Sequence, residues 1–324
     1  MPRACVAAGS GGPARLVSFP VARLVRYCPP KCDSVASAVL PRLPAAIAGA
    51  SARTRLGIRG SAMAVKTFGP VEVARMARAY STPEIVEQRA ITRRAVAAQP
   101  GERGLDIGCG LGFLACELAH EIGPTGRMTG IDVSPDMLAG AREHAARERV
   151  LDRLDFEVGR ATALEFPAAA FDFVTAVQVY LYVPDIGRAL AEAARVLRPG
   201  GRLVVVDTDW DSCVWLTNDR ERHRRILDAS LSRFAHPHLP PRLPGLLAKA
   251  GFRVASVGAV PLIELRYDPN SFSASVIESI AAAVGRGTGH DDLDGWARDL
   301  RGRTGEGDYF FSVNRFLFVA AKPF

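Results

Sequence analysis

The run Leu105-Asp106-Ile107-Gly108-Cys109-Gly110-Leu111-Gly112-Phe113 does most to limit what this chain can fold into. A short apolar stretch ends in three alternate glycines and then opens into a helical pattern. Glycine has no Cβ, so the backbone bends sharply there and a ligand can come close. A strand, a tight bend and a helix N-terminus in that order begin a βαβ unit. The free N–H groups and partial positive charge of the helix start face the bend.

The same alternation continues downstream. Residues 103–107, 127–132, 154–158, 171–177 and 202–207 are short, apolar and nearly unalternating, the pattern of buried parallel strands. Helical patterns separate them. In one, Ile186, Leu190, Ala194 and Leu197 recur every three or four residues after an Asp185 cap, and Arg198-Pro199-Gly200-Gly201 turns the chain back into a strand. Residues 252–260 and 316–321 add two more strands. The pattern predicts an α/β fold, a doubly wound, mostly parallel seven-stranded sheet with helices on both faces. Upstream, residues 71–99 read as helical, with Thr82 as an N-cap, Pro83 in the first turn and Pro100-Gly101 as the stop. Downstream, residues 218–235 read as a charged helix, 236–244 as loop and 245–251 as a short helix. Two more helical patterns fall within 261–309. The inserts 210–244 and 261–309 are expected to form a helical lid over a substrate.

Charge divides the 324 residues unevenly. Residues 1–62 hold eight arginines and Lys31 against Asp33 alone, a net +8 that exceeds the +7 of the whole chain. That Ala-, Arg-, Pro- and Ser-rich stretch predicts a disordered extension ahead of Met63, or an organellar targeting segment, with 63–324 as the folded domain. The rest is nearly neutral, so the alkaline balance gives no argument for a nucleic-acid partner. No apolar run is long enough to span a bilayer. A helix carrying Arg220, Arg222, Arg224 and Arg225 beside Ile226, Leu227 and Leu231 suits peripheral membrane contact only if the substrate is a lipid. The six cysteines read as reduced thiols, which fits a cytoplasmic location, or a mitochondrial or plastid one if residues 1–62 are a transit peptide. Cys28 and Cys32 have no second pair to complete a zinc site, and nothing near His236-Pro237-His238 completes one; no metal is expected.

The glycine spacing narrows the ligand. A dinucleotide loop reads G-x-G-x-x-G, which from Gly108 would put its third glycine where Phe113 stands. The observed G-x-G-x-G follows an acid, Asp106. A carboxylate there does little for a pyrophosphate and much for a cationic amino group. A second acid, Asp132 in Gly130-Ile131-Asp132-Val133-Ser134-Pro135, ends the next strand and is placed to accept from ribose hydroxyls. These features argue against a nicotinamide-dependent oxidoreductase.

Taken together, D-x-G-x-G-x-G, the G-I-D that follows, Phe171-Asp172-Phe173-Val174 and Leu197-Arg198-Pro199-Gly200-Gly201 resemble the ordered motifs of class I S-adenosylmethionine (SAM) dependent methyltransferases. Within them the chain is most similar to small-molecule enzymes of the ubiquinone/menaquinone type. The resemblance implies the Rossmann-like methyltransferase fold and methyl transfer from SAM to an O, N or C nucleophile of a small-molecule substrate. A SAM-binding protein without turnover remains the alternative. It implies that Asp106, Gly108, Cys109 and Gly110 hold the methionine moiety. Asp132 and Val133 would hold the ribose, and Met137 would lie against the nucleoside. Arg160-Ala161 would stand where the family reads adenine, and Gln178 would face the methionine part. Arg160 departs from the acid common there, because arginine only donates. At the carboxyl ends of the fourth and fifth strands, Tyr180, Asp207 and Asp209 are candidate active-site groups, and His223 is the histidine candidate for a general base.

Overall fold

The computed structural model describes residues 69–285 and 290–324. The expectation for residues 1–62 lies outside the described residues. Two helices, α1 (Pro70–Tyr80) and α2 (Pro83–Val96), precede the alternating part: β1 (Arg103–Ile107), α3 (Phe113–Ile122), β2 (Arg127–Asp132), α4 (Pro135–Glu148), β3 (Leu154–Val158), β4 (Phe171–Val177), α5 (Ile186–Val196) and β5 (Leu197–Trp215). Then come α6 (Arg220–Leu231), α7 (Leu243–Lys249), β6 (Arg253–Glu264), α8 (Phe272–Val284), α9 (His290–Arg301) and β7 (Phe311–Ala321).

The strands form one seven-stranded sheet in the order β3-β2-β1-β4-β5-β7-β6. The first five run parallel, and β7 runs antiparallel to both neighbours. Chain direction across the sheet reverses between β1 and β4, the switch point where open α/β sheets bind ligands. Alternate side chains feed opposite faces. Leu203 and Val205 pack with α5 and α7, while Val204 and Val206 pack with α2, α3 and α4. Burial on both faces explains why the inner strands read as apolar runs, whereas the edge strand β3 buries only Leu154 and Phe156. Helix α5 shows the matching pattern: Ile186, Ala189, Leu190, Ala193 and Val196 are buried, and Asp185 caps the helix by accepting from the Arg188 amide at 3.0 Å.

A third apolar cluster lies beyond the carboxyl edge. Trp210, Trp215, Ile226, Leu227, Ile277, Trp296 and Phe311 join α6, α8 and α9 to the far ends of β5, β6 and β7. Here the structure differs from the sequence reading. Residues 210–215, expected within an insert, continue β5, because β7 pairs with it from Arg202↔Ala321 to Trp215↔Phe311 with an irregularity between Asp209 and Val214. The helical segment expected over 71–99 is two helices, the second beginning at Pro83 as the sequence implies. Proline disfavours helical backbone in the residue before it, and Thr82 is extended (φ −67°, ψ 148°). Its hydroxyl donates back to the Ala79 carbonyl at 3.1 Å instead of capping α2. The basic face of α6 is solvated, with Arg224 and Arg225 paired to Asp228, Glu221 and Asp292, while His223, Ile226 and Leu227 turn inward.

Candidate functional site

The glycine bend joins β1 to α3 at the carboxyl edge. Gly108, Gly110 and Gly112 all have left-handed backbone, with φ of 67°, 53° and 74°. At Gly108 a Cβ would also come within 2.5 Å of the Val179 side chain, so both conformation and space demand glycine. The Cys109 amide donates to the Ile131 carbonyl at 2.9 Å, tying the bend to β2.

Two carboxylates frame the bend. Asp132 accepts from the Gly110 amide at 3.0 Å through Oδ2 and from the Ser134 amide at 2.9 Å through Oδ1. It is half-buried and keeps lone pairs for further donors. Burial raises its pKa against the pull of those amides. Asp106 is 3% exposed, and its Oδ1 accepts from the Thr175 hydroxyl at 2.6 Å. Burial, partly offset by that hydrogen bond, pushes its pKa up to about 7. A buried carboxyl of this kind lacks a cation, and an amino group would supply one. Asp106 can thus receive a cationic group, and Asp132 can receive further hydroxyl or amide donors.

Asp106, Gly108, Cys109 and Gln178 line one narrow cleft of about 60 Å³. Gln178 is a non-glycine residue with φ 58°. Its amide is held on both sides, accepting from the Thr208 hydroxyl at 2.6 Å and donating to the Val206 carbonyl at 3.2 Å. Ser134 caps α4 by accepting from the Met137 amide, which places Met137 buried in the first turn. Val133 is exposed, Ala161 is buried, and Arg160 projects into solvent. A larger open groove of about 760 Å³ lies between residues 78–84 and 263–271 and includes none of the glycine bend.

The four candidate active-site groups do not converge. Tyr180 is fully buried in the core, with a hydroxyl that has no partner and a pKa raised by burial. Asp207 is fully buried too. Its carboxyl faces the amides of Val179, Tyr180 and Leu181 without a hydrogen bond of normal geometry, and burial pushes its pKa well above the usual range. His223 lies within the aromatic layer. Its Nδ1 accepts from Trp296 Nε1 at 3.0 Å, and burial lowers its pKa. Asp209 stands with Asp211 near His238, whose Nδ1 is 3.5 Å and 3.1 Å from their carboxylates. The expectation that nothing lies near His236–His238 to complete a ligand set is therefore corrected: the loop folds back on β5 through the Trp210 amide and the Pro237 carbonyl.

Sequence reasoning missed the opposite wall of the cleft, where Tyr80, Gln88 and Arg89 come from α1 and α2 and Arg315 comes from β7. Arg315 had a visible signal, a lone charge in the apolar strand Phe311–Ala321. The helix residues had none, because only tertiary contact brings them here.

Residues 105–205 match the family described as methyltransferase domain. Relatives of the chain include an uncharacterized 37.1 kDa protein of a Streptomyces fradiae transposon, 34% identical over 200 residues, which are 61% of this chain and 56% of that protein. A demethylmenaquinone methyltransferase of Listeria welshimeri is 39% identical over 123 residues, 38% of this chain and 52% of its own length. The chain thus spans a little over half the length of these relatives. In fold the chain is similar to phosphoethanolamine N-methyltransferase 2 of Haemonchus contortus, solved with SAM. The TM-score is 0.51 at 21% identity, covering 78% of this chain and 57% of that one. Among the described residues no helix is long and apolar enough to cross a membrane.

Proposed function

We propose that this protein transfers a methyl group from SAM to an O, N or C nucleophile of a small-molecule substrate. The observation that carries the reading is the pair of carboxylates, Asp106 and Asp132, on either side of a glycine bend with left-handed backbone. SAM, when bound, supplies an electrophilic methyl group on a sulfonium. Asp106 receives the amino group, and Asp132 receives the ribose hydroxyls while it holds the bend in shape. Gln178 keeps the methionine end aligned through a side chain fixed by Thr208 and Val206. Met137 backs the nucleoside, and Val133 and Ala161 border it. Arg160, solvent-facing, contributes no acceptor for adenine.

The helices α6, α8 and α9 act as the cover that keeps water from the reacting atoms. Rate then comes chiefly from alignment in a dry pocket. Asp207 is the titratable candidate best placed to influence the cleft, through Arg315, whereas Tyr180 and His223 act as packing groups.

Calorimetric titration with SAM tests the cofactor, and incubation with methyl-labelled SAM and cell extract tests the transfer. Micromolar binding and a labelled small product are the expected results. Absence of binding sinks the assignment; binding with label that never leaves SAM reduces the protein to a SAM binder.

A further inference from the structure

Arg315 is a buried cation that makes no ion pair among the described residues. It sits in the middle of β7 and is 6% exposed. Its Nη1 donates to Gln88 Oε1, its guanidinium lies 5.0 Å from the centre of the Phe272 ring, and its Nε has no partner. All of these partners are neutral. Asp207, Tyr80 and Tyr182 reach it only by longer-range attraction. Burial holds both Asp207 and Tyr80 towards their uncharged forms. Isolating a charge in this way costs several kcal/mol unless something compensates it, and such groups in clefts mark functional sites.

The cleft shows what is missing. Arg315 lines it together with Asp106 and Gln178. Arg89 lines it too, but its Nε and Nη1 already donate to Glu117 and to the Tyr80 carbonyl. Arg89 is thus paired to a carboxylate, whereas Arg315 keeps a buried Nε–H without a partner and has no ion pair among the described residues. The space of about 60 Å³ holds about four waters or one carboxylate-sized head, not a whole substrate.

We propose that Arg315 receives an oxyanion in this cleft, either an acidic oxygen of the methyl acceptor or the carboxylate of SAM itself. The proposal rests on the methyltransferase reading only for these two sources. A guanidinium binds such an oxygen through charge-assisted hydrogen bonds that lysine reproduces only in part.

The test uses the full chain with 15N-labelled arginine and follows the Nε–H resonance of Arg315. SAM is added to the free protein, and benzoate or its neutral analogue benzamide to the complex with S-adenosylhomocysteine. SAM or benzoate is expected to move the resonance, and benzamide is not. Arg315→Met should weaken the responsive ligand about tenfold or more, with Arg315→Lys in between. Loss of SAM affinity with unchanged 5′-methylthioadenosine affinity assigns the oxyanion to SAM; loss of benzoate affinity assigns it to the acceptor. A resonance that neither ligand moves, or undiminished binding of both by Arg315→Met, overturns the proposal. Should the variants not fold, the wild-type titration decides alone. If SAM does not bind but benzoate added to the free protein still moves Arg315, the cofactor reading falls and this one stands.

Discussion

The half of the sheet around β1–β4 and the aromatic layer beyond β5 are built by different rules. In the first, each functional contact comes from residues close in sequence or from adjacent strands: Gly110 with Asp132, Asp106 with Thr175, Ser134 with Met137. In the second, the determining contacts span long stretches: Trp215 Nε1 to Tyr309 at 3.1 Å, Trp296 to His223, Arg315 to Gln88. A local frame can be kept through a short motif, whereas a long-range layer depends on the whole fold and is free to vary its lining. The first half suits a constant cofactor and the second a particular acceptor.

The largest test of that division is Trp296→Ala. Trp296 is fully buried and edge-on to Trp215. Chemical denaturation should show a loss of about 3–5 kcal/mol with SAM affinity nearly unchanged; an equal fall in affinity would mean the two regions are not separable. Next, Asp132→Ala removes a charged acceptor from two amides and, in the proposed site, from the ribose. SAM binding should weaken by about 2–3 kcal/mol in calorimetry, with a smaller effect on stability.

Gly108→Ala strains a left-handed position and crowds Val179. A stability loss of about 1–3 kcal/mol with impaired SAM binding is expected, read by thermal melting and titration. The smallest effect is with pH. The folded pKa of Asp106, about 7, lies above the ordinary carboxylate value. Its contribution to the stability of the free protein is therefore full at low pH and lost as pH rises through 7. Binding runs the opposite way, because a cationic amino group needs the ionised form. SAM affinity should rise with pH below neutrality, by at most about tenfold per pH unit, and Asp106→Asn should abolish the slope.

The same division explains what is legible in the sequence. Strands β1–β4 read correctly to the residue: β1, β2 and β4 are buried on both faces, the edge strand β3 shows itself through Leu154 and Phe156 alone, and the bend shows itself through its glycines. β5 runs longer than its reading because its pairing with β7 crosses a hundred residues. His223 looks like a base until its partner is seen to be Trp296, and Tyr180 looks like an active-site group until the turn at Tyr180–Tyr182 drives it into the core. Gln88 carries no local mark at all.

The length of β5 has a mechanical consequence. It rises from the core through Trp215 into the layer above, and β6 and β7 climb with it as far as Glu264 and Phe311. A roof grown from the walls' own masonry does not swing like a flap, since tilting it would tear a main-chain ladder. The corner at Ser81–Thr82, where the amides of those two residues donate to the Arg78 and Ala79 carbonyls, lies outside that ladder and carries Tyr80 to the wall of the cleft.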